Sequence, residues 1–377
     1  MAANSHALLS ASSAHRWLNC TPSARLTETM DDITSEFAKE GTDAHALCEY
    51  KLNSLLGIEE EYPELEYYSN EMEECANGYV AYISEVYEEL KQANAHPVVL
   101  VETRLDFSKY VPDGFGTGDA LIASDGTLNI IDYKHGKGVE VSAIDNPQMK
   151  LYALGALELF DCLYDINKIV MTIYQPRLSN ISTYEITKDD LLKWANDELI
   201  PKAQMAFKGE GNLSCGAWCK FCKLKATCQE RARVNLELAK YEFLEASLLK
   251  DDDIADILKK ADDFISWISD VKEYALSEAL KGVKYPGFKV VEGKANRKYT
   301  DEEAVANEVK KLGVDPYDHK LKSITEMTKL LGKEKFKVLD GYITKPHGKP
   351  TLVPDTDKRP EYNSAALDFE NIEIGDN

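Results

Sequence analysis

The stretch from Gly116 to Phe160 restricts the fold more than any other part of the chain. Two β-forming runs, Gly116–Ser124 and Thr127–Lys134, are separated by Ser124-Asp125-Gly126, and glycine tolerates the positive φ that a tight hairpin needs. Val98–Phe107 precedes them as a further strand. Asn146–Phe160 follows as a helix, and Lys168–Pro176 and Ser182–Thr187 read as two more strands. A three-strand meander, a crossover helix and then further strands give a mixed central sheet flanked by helices, not a doubly wound one.

Side chains alternate along a strand, so Asp132 and Lys134 share one face while Tyr133 points away. Asp119 on the partner strand can face the same pocket. The spacing Asp-x12-Asp-x-Lys places two carboxylates and a cation where phosphodiester hydrolysis needs them, and oxygen ligands suit Mg²⁺ or Mn²⁺. The competing reading is a turn cap at Asp119, after Gly116-Thr117-Gly118. Gln148 and Tyr152 fall one turn apart on one face of the following helix.

Ahead of the sheet, residues 8–19 form a short helix, with Ser10 or Ser12 as its cap, that delivers Cys20. Residues 36–56 form a helix carrying Glu40-Gly41-Thr42-Asp43-Ala44-His45, and residues 70–95 another. Past the sheet, Lys188–Phe207 is helical with Thr187 as its cap. Then comes Cys215-x3-Cys219-x2-Cys222-x5-Cys228, four thiols in a short segment beside Lys220, Lys223, Lys225, Arg231 and Arg233. Thiolates alone suit architectural zinc or an iron–sulfur cluster. The remainder divides into a helical extension, 236–282, and a smaller C-terminal α/β region, 283–377. That region opens with a basic strand or hairpin over 282–298, continues in two small helices and ends in a Pro-rich tail.

A net charge of −21 excludes a general nucleic-acid coat but leaves room for a local basic groove. The Lys220–Arg233 segment and the 284–298 hairpin are the candidates for that groove. No apolar run reaches the ~20 residues of a membrane span. Nor does the N-terminus have the basic start and apolar core of a signal peptide. The expected location is cytoplasmic.

Taken together, Gly41-Thr42-x2-His45, Gly118-Asp119, Asp132-Tyr133-Lys134 and Gln148-x3-Tyr152 resemble the motifs of RecB-like nucleases of the PD-(D/E)xK superfamily, in order and on matching elements. The similarity covers about residues 8–235 and is closest to phage-encoded members. It implies a restriction-endonuclease-like fold and a metal-dependent deoxyribonuclease, an exonuclease processing DNA ends in phage recombination or replication, in the cytoplasm of a host cell. Its partners would be DNA, single-stranded or as duplex ends, and phage recombination or single-strand-binding proteins. It also implies that His45, Asp119, Asp132 and the Tyr133 carbonyl ligate Mg²⁺ or Mn²⁺. Lys134 would be the catalytic lysine, and Gln148 and Tyr152 would contact DNA or brace the site.

Similar nucleases of the AddB type carry a [4Fe–4S] cluster, and Cys20 with Cys219, Cys222 and Cys228 fits that layout. Two residues depart from the pattern: Cys215 is a surplus thiol, and His135 stands where the family has a small polar residue. The alternatives are a non-catalytic DNA-binding or assembly protein on the same fold, or an adaptor stapled by Zn²⁺ through Cys215, Cys219, Cys222 and Cys228.

Overall fold

The computed structural model describes residues 7–31, 36–93, 96–237, 249–291, 302–311, 317 and 323–343. Two compact units emerge, Met1–Ala275 and Leu276–Asn377.

The first unit is built on one five-stranded sheet in the order β1-β2-β3-β4-β5. Its strands are β1 (Val98–Asp106), β2 (Phe115–Ser124), β3 (Gly126–Tyr133), β4 (Ile166–Gln175) and β5 (Asn180–Thr187). β3 and β4 run parallel and every other neighbouring pair is antiparallel. The sheet is therefore mixed, as the order of apolar runs requires. The β2–β3 turn closes at Gly126, whose φ of 85° is the left-handed conformation expected of a hairpin glycine.

Helices cover both faces. On one side lie α1 (Ala14–Asn19), α2 (Ser23–Leu26), the crossover helix α5 (Pro147–Phe160), α6 (Lys188–Trp194) and α7 (Ile200–Lys208), α6 and α7 being joined by a π-turn over Ala195–Leu199. They enclose a core in which Trp17, Leu105, Phe107, Leu121, Met149 and Leu151 are fully buried. On the other side α3 (Glu36–Leu55) and α4 (Asn70–Gln92) seal Leu47, Leu52, Met72, Tyr79, Ile122 and Tyr133 into a second core. Burying one such large apolar side chain stabilises the fold by about 1.5–3 kcal/mol.

Local chemistry sets the helix ends. Ser69 accepts the Met72 amide at the start of α4, and Glu71 and Glu73 lie in that first turn, where the positive end of the helix dipole favours them. Asn146 caps α5 by accepting the Gln148 and Met149 amides, with Pro147 at the first helical position. Thr187 caps α6 through the Asp190 amide. The N-terminal segment departs from expectation. It enters as a 3₁₀ turn, Ala11–Ser13, and Ser10 caps nothing with its side chain; its carbonyl accepts the indole N–H of buried Trp17 at 3.0 Å.

Past the sheet come a 3₁₀ turn at Ala217–Phe221, α8 (Gln229–Leu236) and the long α9 (Asp251–Leu280), which carries the chain into the second unit. The described residues of that unit hold α10 (Glu302–Lys311) and α11 (Ile324–Phe336), the latter opened by a Ser323–Glu326 capping box. The basic hairpin expected over 282–298 does not form in its described part. Residues 282–291 turn at Gly282 and Gly287, both at positive φ, which breaks an extended run. Residues 292–298 and the Pro-rich tail lie outside the described residues.

Candidate metal centre

β2 and β3 stop pairing at Ala120↔Ile131. Beyond that point the Asp119 carboxylate takes over from the ladder and accepts the Tyr133 amide at 2.7 Å. The parted strand ends open a pocket at one end of the sheet. Into it come His45 from α3, with Nδ1 3.5 Å from Asp119 Oδ2, and Lys134 just past β3, with Nζ 2.8 Å from Asp132 Oδ2. Gln148, aimed back at the sheet by the Asn146 cap, donates to Asp132 Oδ1 and to the Tyr152 hydroxyl, each at 3.2 Å. A Cβ on Gly116 would stand 2.8 Å from the Tyr152 ring, so glycine there lets α5 settle close over the strand end. His45, Asp119, Asp132, Lys134, Gln148 and Tyr152 are thus drawn together from four elements.

Glu102 completes the pocket, and it was not among the residues singled out from the sequence. Its Oε1 lies 3.9 Å from His45 Nδ1. The β1–β2 register runs Val101↔Ala120 and Thr103↔Gly118, which sets Glu102 opposite Asp119. Its φ of 41° is unusual for a non-glycine residue in a strand and costs on the order of 1–3 kcal/mol, strain that concentrates at functional positions. The available signal was a lone carboxylate in the run VVLVETRLDF; nothing in the pattern pairs it with Asp119, because the register is a tertiary property. Among the described residues, His45, Glu102 and Asp119 form the one trio of His, Cys, Asp or Glu ligand atoms mutually within 4.8 Å. Asp132 stands apart from that trio, engaged by Lys134 and Gln148, and the part of Tyr133 shown to reach the site is its amide.

Charge is unbalanced here. Burial, Asp119 and Glu49 push the Glu102 carboxyl up from the usual 4.5 to about 8. Burial, opposed by His45 and reinforced by Asp132, brings Asp119 up to about 6. Burial works against the Lys134 ammonium, but Asp132 and Asp119 outweigh it and hold its pKa above the ordinary lysine value. Lys134 is therefore a fixed cation near neutrality and not a proton acceptor. Burial raises the Tyr152 hydroxyl, which stays protonated. Asp132 Oδ2 is buried and meets Lys134 only as an ion pair, with no aligned hydrogen bond. Three carboxylates against one permanent cation leave about two negative charges once all are ionised, the complement of one divalent cation. Oxygen-rich donors with a single imidazole fit Mg²⁺ or Mn²⁺.

His135 does not enter this pocket. It turns under the sheet, where its Nδ1 lies 2.9 Å from the Tyr133 hydroxyl and its Nε2 3.6 Å from Glu40. Arg177 ties Glu40 of α3 and Glu71 of α4 at 3.0 Å each, so this network anchors the helix that carries His45.

The cysteines gather at a second place. Cys20, Cys219, Cys222 and Cys228 line one small cavity, partly open to solvent, together with Arg16, Trp218 and Arg231; Cys215 is not among its lining residues. No three cysteine sulfurs among the described residues lie mutually within 4.8 Å. Four thiolates on one zinc at ~2.3 Å would stand about 3.8 Å apart. Burial pushes the Cys215 thiol up to about 12. The basic residues nearby are largely committed: Lys225 and Arg231 pair with Asp270 of α9, Arg233 with Glu230 and Glu237, and Lys223 donates to the Met30 carbonyl.

No described helix is long and apolar enough to cross a membrane. A solved protein, "Crystal structure of SSO0001", is similar at 16% identity over 56% of this chain and 95% of that one, with a TM-score of 0.21. Residues 6–360 match the family described as Protein of unknown function (DUF2800), and the chain belongs to that family.

Proposed function

We propose that this protein is a Mg²⁺- or Mn²⁺-dependent deoxyribonuclease of the RecB-like PD-(D/E)xK kind, an exonuclease acting on DNA ends during phage recombination or replication in a host cell's cytoplasm. One observation carries the reading: His45, Glu102, Asp119, Asp132 and Lys134 converge at a parted sheet end, three carboxylates against one lysine. His45, Glu102 and Asp119 would hold the cation, with Asp132 beside them between Lys134 and Gln148. When bound it supplies Lewis acidity and an acidified water near neutral pH.

The chain's own residues do the rest. Asp119 is fixed by the Tyr133 amide, so it needs no reorganisation to present its free oxygen. Lys134, cationic throughout the neutral range, stabilises charge growing on the phosphate oxygens. Gln148 holds the Asp132 carboxylate in one rotamer, and the protonated Tyr152 braces Gln148 from behind. Hydrolysis adds water across one P–O bond, leaving a phosphomonoester and a hydroxyl. Cys20, Cys219, Cys222 and Cys228 would hold a [4Fe–4S] cluster, supported by the one cavity that all four line.

The deciding experiment incubates end-labelled single- and double-stranded DNA with the protein and Mg²⁺ or Mn²⁺, beside Asp132→Ala and Lys134→Ala. Metal-dependent shortening by the parent alone supports the assignment. No cleavage by the parent, or equal cleavage by all three, overturns it.

A further inference from the structure

The chain leaves the site at Lys134 and returns to it at Gln148, and the loop between runs along the end of the sheet past β4 and β5. Gln175, the last residue of β4 and only 1% exposed, holds this loop with its whole amide. Its Nε2 donates to the carbonyls of Gly136 and Val139 at 2.8 Å each, and its Oε1 accepts the Val141 amide at 3.1 Å and the Asn180 side chain at 3.2 Å. Ser182 accepts the Ala143 amide at 2.9 Å. A loop so tethered is preorganised.

What it presents is Gly136-Lys137-Gly138, all three exposed. The fold does not ask for glycine at either position. Neither has a positive φ, and a Cβ on either would meet nothing within 4 Å. Absent side chains that serve no internal need leave the backbone open to an external group, as in phosphate-cradling loops. Lys137 makes no ion pair among the described residues, and Glu140 nearby on the loop does not engage it. That is unusual close to this site, where Lys134, Lys150 and Arg177 are all paired with carboxylates. Three residues of chain put the Lys137 Cα at most ~11 Å from that of Lys134, so the Lys137 ammonium can reach a phosphate close to the one that Lys134 touches.

We infer that Gly136-Lys137-Gly138, fixed by Gln175, is a DNA-backbone contact of this site, in which Lys137 binds a phosphate neighbouring the scissile one and the two glycines admit the strand. The inference rests on the nuclease reading and names where that site grips its substrate. Gln175 is a positioning residue in this scheme.

The test measures binding of a fluorescent oligodeoxynucleotide by anisotropy across a salt series, for the full chain and for Lys137→Ala, Lys137→Arg and Gly138→Val, with cleavage followed in parallel. Loss of one phosphate contact lowers the slope of log affinity against log salt by about 0.7 for a single strand or 0.9 for a duplex. Lys137→Ala should show that reduced slope, with KM for DNA raised about threefold to tenfold and kcat little changed. Lys137→Arg should restore both, and Gly138→Val should weaken binding without altering thermal unfolding. A parent that binds DNA while Lys137→Ala keeps its affinity and slope overturns the inference alone. A parent that binds no DNA overturns it together with the nuclease reading.

Discussion

Replacing Glu102 by Gln tests the electrostatic account of the pocket without relying on any activity. In the folded, metal-free protein the Glu102 carboxyl keeps its proton to about pH 8, against 4.5 in the ordinary state, because burial, Asp119 and Glu49 oppose its charge. Between those values the folded chain binds more protons than the unfolded one, so its stability falls as pH rises. At ~1.4 kcal/mol per unit, the interval from 4.5 to 7 costs on the order of 3 kcal/mol. Asp119, raised to about 6, adds to the loss in the same direction over the lower part of that window. Glutamine keeps the shape of the protonated side chain and cannot ionise. In EDTA, Glu102→Gln should match the parent near pH 5 and be more stable by on the order of 3 kcal/mol near pH 7, read by urea unfolding through tryptophan fluorescence. Added Mn²⁺ should close most of that gap: the parent gains about 2.7 kcal/mol at a hundredfold excess over Kd. Parallel stability curves for the two proteins from pH 5 to 8 in EDTA would refute the reasoning.

Asp132→Ala and Lys134→Ala should each lower DNA cleavage at least ~10³-fold while leaving the fold intact, measured in single-turnover assays. His45→Ala should raise the Mn²⁺ concentration needed for half-maximal cleavage, since it removes the one imidazole from an oxygen site; an unchanged requirement would make His45 structural. Anaerobically purified protein should be brown and contain iron. Cys20→Ser should bleach it and Cys215→Ser should not, as absorbance and metal analysis will tell; colourless protein holding one zinc and sensitive to Cys215→Ser would replace the cluster with a staple.

Local signals made much of this legible. The Ser124-Asp125-Gly126 turn and the alternating runs around it specify the hairpin, and the helix before β4 specifies the parallel pair. Asp132 and Lys134 meet because a period of two puts them on one face, and Gln148 meets Tyr152 because a helix puts residues four apart together. Glu102 was out of reach, since its role depends on which β2 residue lies opposite and on a backbone excursion at φ 41°. The expected groove in the Lys220–Arg233 segment also looks different in three dimensions. Sequence shows the lysines and arginines, but not that Asp270, some forty residues on, neutralises two of them. Charge composition records how many groups there are and not whom they face.

That same segment bears on what a cluster held by these cysteines would do. Cys20 and the later cysteines close a loop of about 200 residues, and such a tie restricts an unfolded chain considerably. Yet the N-terminal segment is already joined to the far end of that loop without them. Thr21 donates to the Glu210 carbonyl, Arg25 to Phe207 and Lys223 to Met30, and α1 packs against both α7 and α5. Each hydrogen bond contributes about 1 kcal/mol net, and the first tie across a loop carries most of its entropy. A cluster added to these contacts therefore stiffens a closed ring and does not create one. The helix it would stiffen is α1, whose partner α5 holds Gln148 against Asp132. Cys20→Ser should accordingly cost the colour and some stability while leaving the sheet assembled, with the larger effect on how firmly α5 presents Gln148 to the acidic pocket.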